Sequence, residues 1–144
     1  MQDRVLAIDY GEKRIGLALS DPLWLTAQPL SFLENNKIFF VELQKIIQEY
    51  DVKKIVLGLP KNLQGHDTAK TLEVRTFAEK LQKNLSMEVV FWDERFSTVA
   101  VNKFLIGADV SRKKRKKVGD SQAAAFFLQG YMDRYRHGDL TLAP

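Results

Sequence analysis

Four short apolar runs limit what this chain can fold into: Arg4–Ile8 (RVLAI), Ile15–Leu19 (IGLAL), Lys54–Leu59 (KIVLGL) and Met87–Trp92 (MEVVFW). Each is too short for a typical helix, and together they are rich in β-branched and aromatic residues, so each reads as a strand. The first two are separated only by the turn Asp9–Arg14, where Gly11 is expected to supply permissive dihedrals, and they form a hairpin. The last two are each reached through a segment of helical periodicity. Asn36–Tyr50 spaces Phe39, Phe40, Leu43, Ile46, Ile47 and Tyr50 at helical intervals, with Asn35 or Asn36 placed to cap. A second helix, Asp67–Leu85, puts Leu72, Phe77, Ala78, Leu81 and Leu85 on one side. A strand reached through a helical crossover lies parallel to its predecessor. One more strand is predicted between Thr26 and Leu33, kept to an edge or an irregular piece by Pro29. A short helix from Ser97 or Thr98 to Ile106 and a final helix Asp120–Tyr135 follow. The expected fold is α/β: a mixed five-stranded sheet, its first three strands antiparallel and the rest parallel, flanked by helices. One domain is expected over 1–138, with a short tail over 139–144.

A chain of 144 residues, 45% hydrophobic and 28% charged, suits one globular domain with a real core. The absence of cysteine excludes disulfides, thiolate metal sites and cysteine nucleophiles, and suits a reducing compartment. The N-terminus lacks the pattern of a signal peptide, and no apolar stretch approaches the ~18 residues of a membrane span. A cytoplasmic location is expected by elimination, as a monomer or homodimer. The net charge of +4 is modest, but Arg112, Lys113, Lys114, Arg115, Lys116 and Lys117 are consecutive. Such a block repels itself and is expected to be a mobile loop. A polyanionic partner is the usual reason for one, and a merely solvated run is the alternative.

In sheets of this kind ligands sit at the carboxyl ends of the parallel strands. Three acidic positions fall there. Asp9 ends the first strand, Asp93-Glu94 ends the fifth, and Asp120 opens the last helix. Carboxylates converging on a partly desolvated rim repel one another, and a hard divalent cation such as Mg²⁺ or Mn²⁺ relieves that repulsion. Two such cations about 3.5–4 Å apart can hold the attacking water and leaving oxygen of a phosphodiester. Each acid also has a plainer reading. Asp9 could be a turn residue, Asp93 or Glu94 could pair with Arg95, and Asp120 could be a helix N-cap. Asp120, Ala123, Ala124 and Phe127 share a helical face, and the small residues would let that helix approach the sheet.

Polar and basic residues flank this rim. Lys13 and Arg14 lie in the first turn, Lys61 and Asn62 follow the fourth strand, and Arg95, Ser97 and Thr98 follow the fifth. Ahead of helix N-termini, such residues suit phosphate. With the 112–117 run they would position a nucleic-acid backbone without reading its sequence. Other chemistries fail on spacing. Gly58 to Gly65 is not a phosphate loop, since His66-Asp67 follows the second glycine. His66 and His137 lack metal-ligand spacing, no nucleophile elbow is present, and Trp24 and Trp92 read as packing residues.

Four segments carry a resemblance. They are Leu6-Ala7-Ile8-Asp9-Tyr10-Gly11 with Lys13-Arg14-Ile15-Gly16 and Ser20-Asp21; Val56-Leu57-Gly58-Leu59-Pro60; Asp93-Glu94-Arg95-Phe96-Ser97-Thr98; and Asp120-Ser121-Gln122-Ala123-Ala124-Ala125. Together they resemble the pre-16S rRNA nuclease family (YqgF), also called Holliday-junction-resolvase-like proteins, in family order and across almost the whole chain. The resemblance implies a ribonuclease-H-like fold, a divalent metal (Mg²⁺ or Mn²⁺), endonuclease chemistry and a bacterial cytoplasmic role in maturing the 5′ end of small-subunit ribosomal RNA. It carries the catalytic and metal-binding acids over to Asp9, Glu94 and Asp120, with Asp93 a possible substitute for Glu94. The chain departs from the related junction resolvases at one point. Their second carboxylate lies on the strand after the first helix, where this chain has Gly58-Leu59-Pro60.

The expected partner is structured pre-ribosomal RNA or branched DNA, with no membrane. Rival readings are a non-catalytic RNA-binding ribosome-assembly factor and a Holliday-junction DNA resolvase. Asp9-x-Gly11 after a strand also resembles the first phosphate loop of actin-like ATPases, but the chain is short for two such domains and offers no second loop.

Overall fold

The computed structural model describes residues 3–94 and 112–135, the side chains of 112–120 excepted. Its strands are β1 (Arg4–Asp9), β2 (Arg14–Ser20), β3 (Ala27–Glu34), β4 (Val52–Leu59) and β5 (Glu88–Asp93). The helices are α1 (Phe39–Tyr50), α2 (Ala69–Leu85) and α3 (Arg112–Tyr135). The sheet order is β3-β2-β1-β4-β5. The β1–β2 and β2–β3 pairs are antiparallel, and β1–β4 and β4–β5 are parallel. This is the mixed sheet that the alternation of strands and helical segments predicts. The predicted helix after Thr98 lies outside the described residues.

The sheet divides two cores because side chains alternate across it. Leu6, Ile8, Ile55 and Leu57 pack on α1 and α2 through Phe39, Leu43, Phe77 and Leu81. Val5, Ala7 and Val56 pack on α3 through Ala124, Phe127, Leu128 and Met132. Strands β1 and β4 are covered on both faces, which explains their unbroken apolar character. Each fully buried Leu, Ile or Phe here contributes roughly 1.5–3 kcal/mol over an exposed position.

Pro29 sits in β3, an edge strand, where a missing N–H costs little. The side chain of Gln129 on α3 fastens this edge, accepting from Ala27 N at 3.0 Å and donating to Leu25 O at 3.3 Å.

Several local expectations are corrected. Gly11 is required by proximity: a Cβ there would lie 2.2 Å from the Arg14 carbonyl oxygen, so the turn closes too tightly for any side chain. Helix α1 starts at Phe39, and its N-cap position is Ile38, with no capping side chain. Asn36 instead bends the chain just ahead of the helix, its Oδ1 accepting from Ile38 N at 3.0 Å. Helix α2 starts at Ala69 behind a capping box of Thr68 and Thr71. Leu72 is 59% exposed, and the buried positions of α2 are Thr71, Val74, Phe77, Ala78 and Leu81.

The largest correction is α3. It begins at Arg112, so the backbone of residues 112–117 is helical and not a loop. Lysine and arginine are good helix formers, and repulsion among solvated charges is screened enough for a continuing helix to outweigh it. No helix among the described residues is long and apolar enough to cross a membrane.

Candidate active site

Asp9 follows Val5 and Ala7 in strand alternation, so it stands on the α3 side at the carboxyl end of β1. On the far side of β4, Glu94 immediately follows β5. Its N–H donates to Leu59 O at 3.2 Å, which extends the parallel pairing in which Gly58 opposes Trp92 and Leu59 opposes Asp93. Glu94 thereby takes the same side as Val90 and Trp92, facing α3.

Gly58 lies between the two acids. A Cβ on Gly58 would meet Glu94 Cδ at 2.7 Å, Glu94 Oε1 at 2.8 Å and Phe127 Cε2 at 2.8 Å. The carboxyl of Glu94 therefore occupies the space that a side chain on β4 would fill. This accounts for the departure noted in the sequence: β4 supplies a gap, and the neighbouring strand reaches over it with an acid. Across this gap Glu94 and Asp9 are in hydrogen-bond contact.

The electrostatics follow from this crowding. Burial pushes the Glu94 carboxyl up, and the charge of Asp9 and the hydrogen bond between the two push it further, to about 9. Lys70 pulls in the opposite direction, and Asp93 adds to the rise. Near neutral pH the pair keeps a proton that a cation could replace. Its oxygen-only donor set fits a hard divalent ion. Among the described residues no group of three His, Cys, Asp or Glu gathers as a complete metal site.

Asp120 lies within α3, eight residues after its start, so it is not the helix N-cap. The next residue, Ser121, is fully buried, and its Oγ accepts Leu17 N–H at 3.0 Å. Leu17 pairs with Ile8, and Gly16 pairs with Asp9. The backbone at 120–121 is thus anchored at the sheet end that carries Asp9. Of the predicted helical face, Ala124 and Phe127 are buried and Ala123 is half-buried.

The predicted backbone-binding residues fare differently. Lys13 in the first turn and Arg14 at the start of β2 are exposed, with the Arg14 guanidinium 5.2 Å from the Phe32 ring centroid. Lys61 is half-buried and bridges to Asp67 through the backbone. The Asn62 carboxamide oxygen is engaged by its own loop, accepting from Gln64 N at 3.1 Å and His66 N at 2.9 Å. Arg95, Ser97 and Thr98 lie outside the described residues, as do the side chains of Arg112, Lys113, Lys114, Arg115, Lys116 and Lys117.

Two contributors escaped the sequence reading. Lys70, in the first turn of α2, is half-buried, its Nζ is 5.2 Å from the Tyr10 ring centroid, and its charge acts on Glu94. A cation there opposes the helix dipole, and that misfit was the available signal. Gly58 is the other. A glycine inside an apolar strand signals close approach of another group.

A family model described as RuvX, Holliday junction resolvase, matches residues 3–134. The chain belongs to the RuvX family of nucleases. A Bacillus cereus (strain AH187) protein named "Putative pre-16S rRNA nuclease" is 45% identical over 135 residues, covering 91% of this chain and 98% of that one. A Desulforamulus reducens protein of the same name is 48% identical over 132 residues, covering 90% and 96%. Solved resolvases share the RuvX chain's fold at low identity. T. thermophilus RuvC in complex with a Holliday junction substrate gives a TM-score of 0.50 at 13% identity, covering 92% of this chain and 97% of that one. The Fowlpox virus resolvase in complex with Holliday junction DNA gives 0.51 at 15%, covering 95% and 99%.

Proposed function

We propose that this RuvX-family protein is a divalent-cation-dependent endonuclease that cuts structured nucleic acid, in the maturation of the 5′ end of pre-16S ribosomal RNA. The names of its curated relatives support the ribosomal substrate. The observation that carries the chemistry is the Asp9–Glu94 pair, with the Glu94 carboxyl pushed up to about 9 beside a neighbouring carboxyl.

In this reading Asp9, Glu94 and Asp120 hold the cation. The bound ion would supply charge neutralisation at the scissile phosphate and acidify water. To hold the ion, Asp9 and Glu94 would give up the proton between them, and Gly58 leaves Glu94 the room to turn its carboxyl toward Asp9. Lys13, Arg14, Lys61 and the 112–117 run attract and orient the phosphate backbone. Water attacks phosphorus and the bond to O3′ breaks, leaving 5′-phosphate and 3′-hydroxyl ends. The test is hydrolysis of a precursor 16S RNA fragment and of a four-way DNA junction, each with Mg²⁺ or Mn²⁺. Cutting of the RNA that is lost in Asp9→Asn supports the reading. Cutting of the junction alone would assign the protein to DNA resolution, as the family description suggests. Metal-independent binding without cutting, unchanged in Asp9→Asn, would make it an assembly factor.

A further inference from the structure

On the opposite side of the sheet from the Asp9 carboxylate, the chain turns at Tyr10 into a cleft of about 360 Å³ between α1 and α2. Its walls are aromatic. Tyr10 meets Phe77 at 4.5 Å between centroids with a 43° tilt, and Phe40 stacks toward the same ring at 6.4 Å and 29°. Phe77 is nearly buried, whereas Tyr10 and Phe40, which also line the cleft, are only half-buried. The rim is polar, with exposed Asn36, Glu73 and Lys80.

This lining matches one class of occupant. Half-exposed rings give a stacking surface for a flat heterocycle. An acid, an amide and an amine at the rim can accept from and donate to the polar edge of such a ring, and sequence-selective RNA recognition uses this combination on unpaired bases. The cleft is also joined to the carboxyl pair. Tyr10 directly follows Asp9, and Lys70 stands over the Tyr10 ring while its charge reaches Glu94. A phosphate beside Lys70 would leave its attached base within reach of Tyr10.

We infer that the cleft between Tyr10, Phe40 and Phe77 binds the nucleobase of an unpaired nucleotide flanking the phosphate that is cut. The inference rests on the nuclease reading and narrows its substrate to strands that offer an extrahelical or single-stranded base beside the cleavage point. Lys70 is then a positioning residue, holding the phosphate between base cleft and carboxyl pair.

The test uses the full chain in EDTA, titrated with AMP, CMP, GMP and UMP, with ribose 5-phosphate as control, and is read by NMR. Expected are ring-current shifts of base protons, perturbation of Tyr10, Phe40 and Thr76 resonances, and affinity above that for ribose 5-phosphate. Phe40→Ala should weaken nucleotide binding at least about five-fold, the low end for losing one base–aromatic stack. Glu73→Gln, at an exposed position that folding tolerates, should change the ranking of the four nucleotides. Ribose 5-phosphate binding as well as the nucleotides, perturbations mapping away from the cleft, or an unchanged ranking in Glu73→Gln would overturn the inference. Nucleotides seated in the cleft of a protein that cuts neither RNA nor junction would sustain the site and overturn the nuclease reading. Asp9-dependent cutting with an unresponsive cleft would do the reverse.

Discussion

Two carboxylates of this chain live in opposite surroundings. Asp21 ends its strand as Glu94 does, at the turn after β2. Its oxygens accept from Leu23 N at 3.2 Å, Leu25 N at 2.6 Å and Thr26 N at 2.8 Å. Burial alone pushes the Asp21 carboxyl upward, but these backbone N–H groups together outweigh it and hold the group below its ordinary value. The loop they close carries Trp24 in the left-handed region at φ 57°, with its indole N–H donating to Asp3 O at 2.7 Å. Glu94 is held in place by crowding, with another acid in contact and little compensating charge. One carboxyl group is spent on the fold. The other is kept uncomfortable and therefore available, which is the condition under which perturbed groups mark functional sites.

The contrast breaks most sharply at Asp9. Asp9→Asn should lower cleavage by about 100-fold or more, the scale for losing one positioned group that stabilises developing charge. Asp21→Asn should leave the rate per folded molecule unchanged. Equal rates for wild type and Asp9→Asn on structured RNA would remove the distinction between the two acids.

Gly58→Ala is the next largest. The added methyl must displace the Glu94 carboxyl or the Phe127 ring, and forced repacking of this kind costs about 1–3 kcal/mol. Urea unfolding should show that loss, together with weaker cleavage. A variant as stable and active as wild type would mean that Glu94 does not depend on the gap.

The two acids also predict opposite pH dependence. The folded pKa of Glu94, about 9, lies above its ordinary 4.5, so its contribution to stability is present below pH 4.5 and is lost as pH rises toward 9. Asp21 is depressed, so its contribution is present above pH 3.8 and is lost as pH falls further. Thermal melts in EDTA should therefore fall as pH rises from about 4.5 to about 9. Mg²⁺ should raise the melting temperature more at pH 8.5 than at pH 6, because displacing the Glu94 proton costs more at the lower pH. A Mg²⁺ effect independent of pH would dissociate the cation from this pair.

The smallest effect is at Asp21 itself. Asp21→Asn keeps one acceptor oxygen in an open loop, so the expected loss is at most about 1 kcal/mol, read from denaturant midpoints. A much larger loss would show that this turn governs the fold more than its exposure suggests.

Some of this was visible in the chain alone. Apolar runs ending in Asp9 and Asp93-Glu94, separated by helical periodicity, determined the strand types, their parallel and antiparallel pairing and the acids at one sheet edge. These features are legible because side-chain alternation and helix spacing are local. Leu72 misled because helical spacing alone admits more than one face, and packing against the sheet buries Val74 instead. The cations at 112–117 misled because charge argues for solvent exposure but does not forbid a helix.

Only the tertiary structure decided that Glu94 reaches across β4 to Asp9. That contact depends on the parallel register of Gly58 with Trp92 and on Phe127 of a distant helix closing the other side of the gap. Register and gap arise from packing between segments far apart in the chain, so no local pattern encodes them. The raised Glu94 carboxyl follows first from burial and then from that proximity, because a carboxyl group loses water and meets its neighbour's charge only after the strands between them have been laid in order.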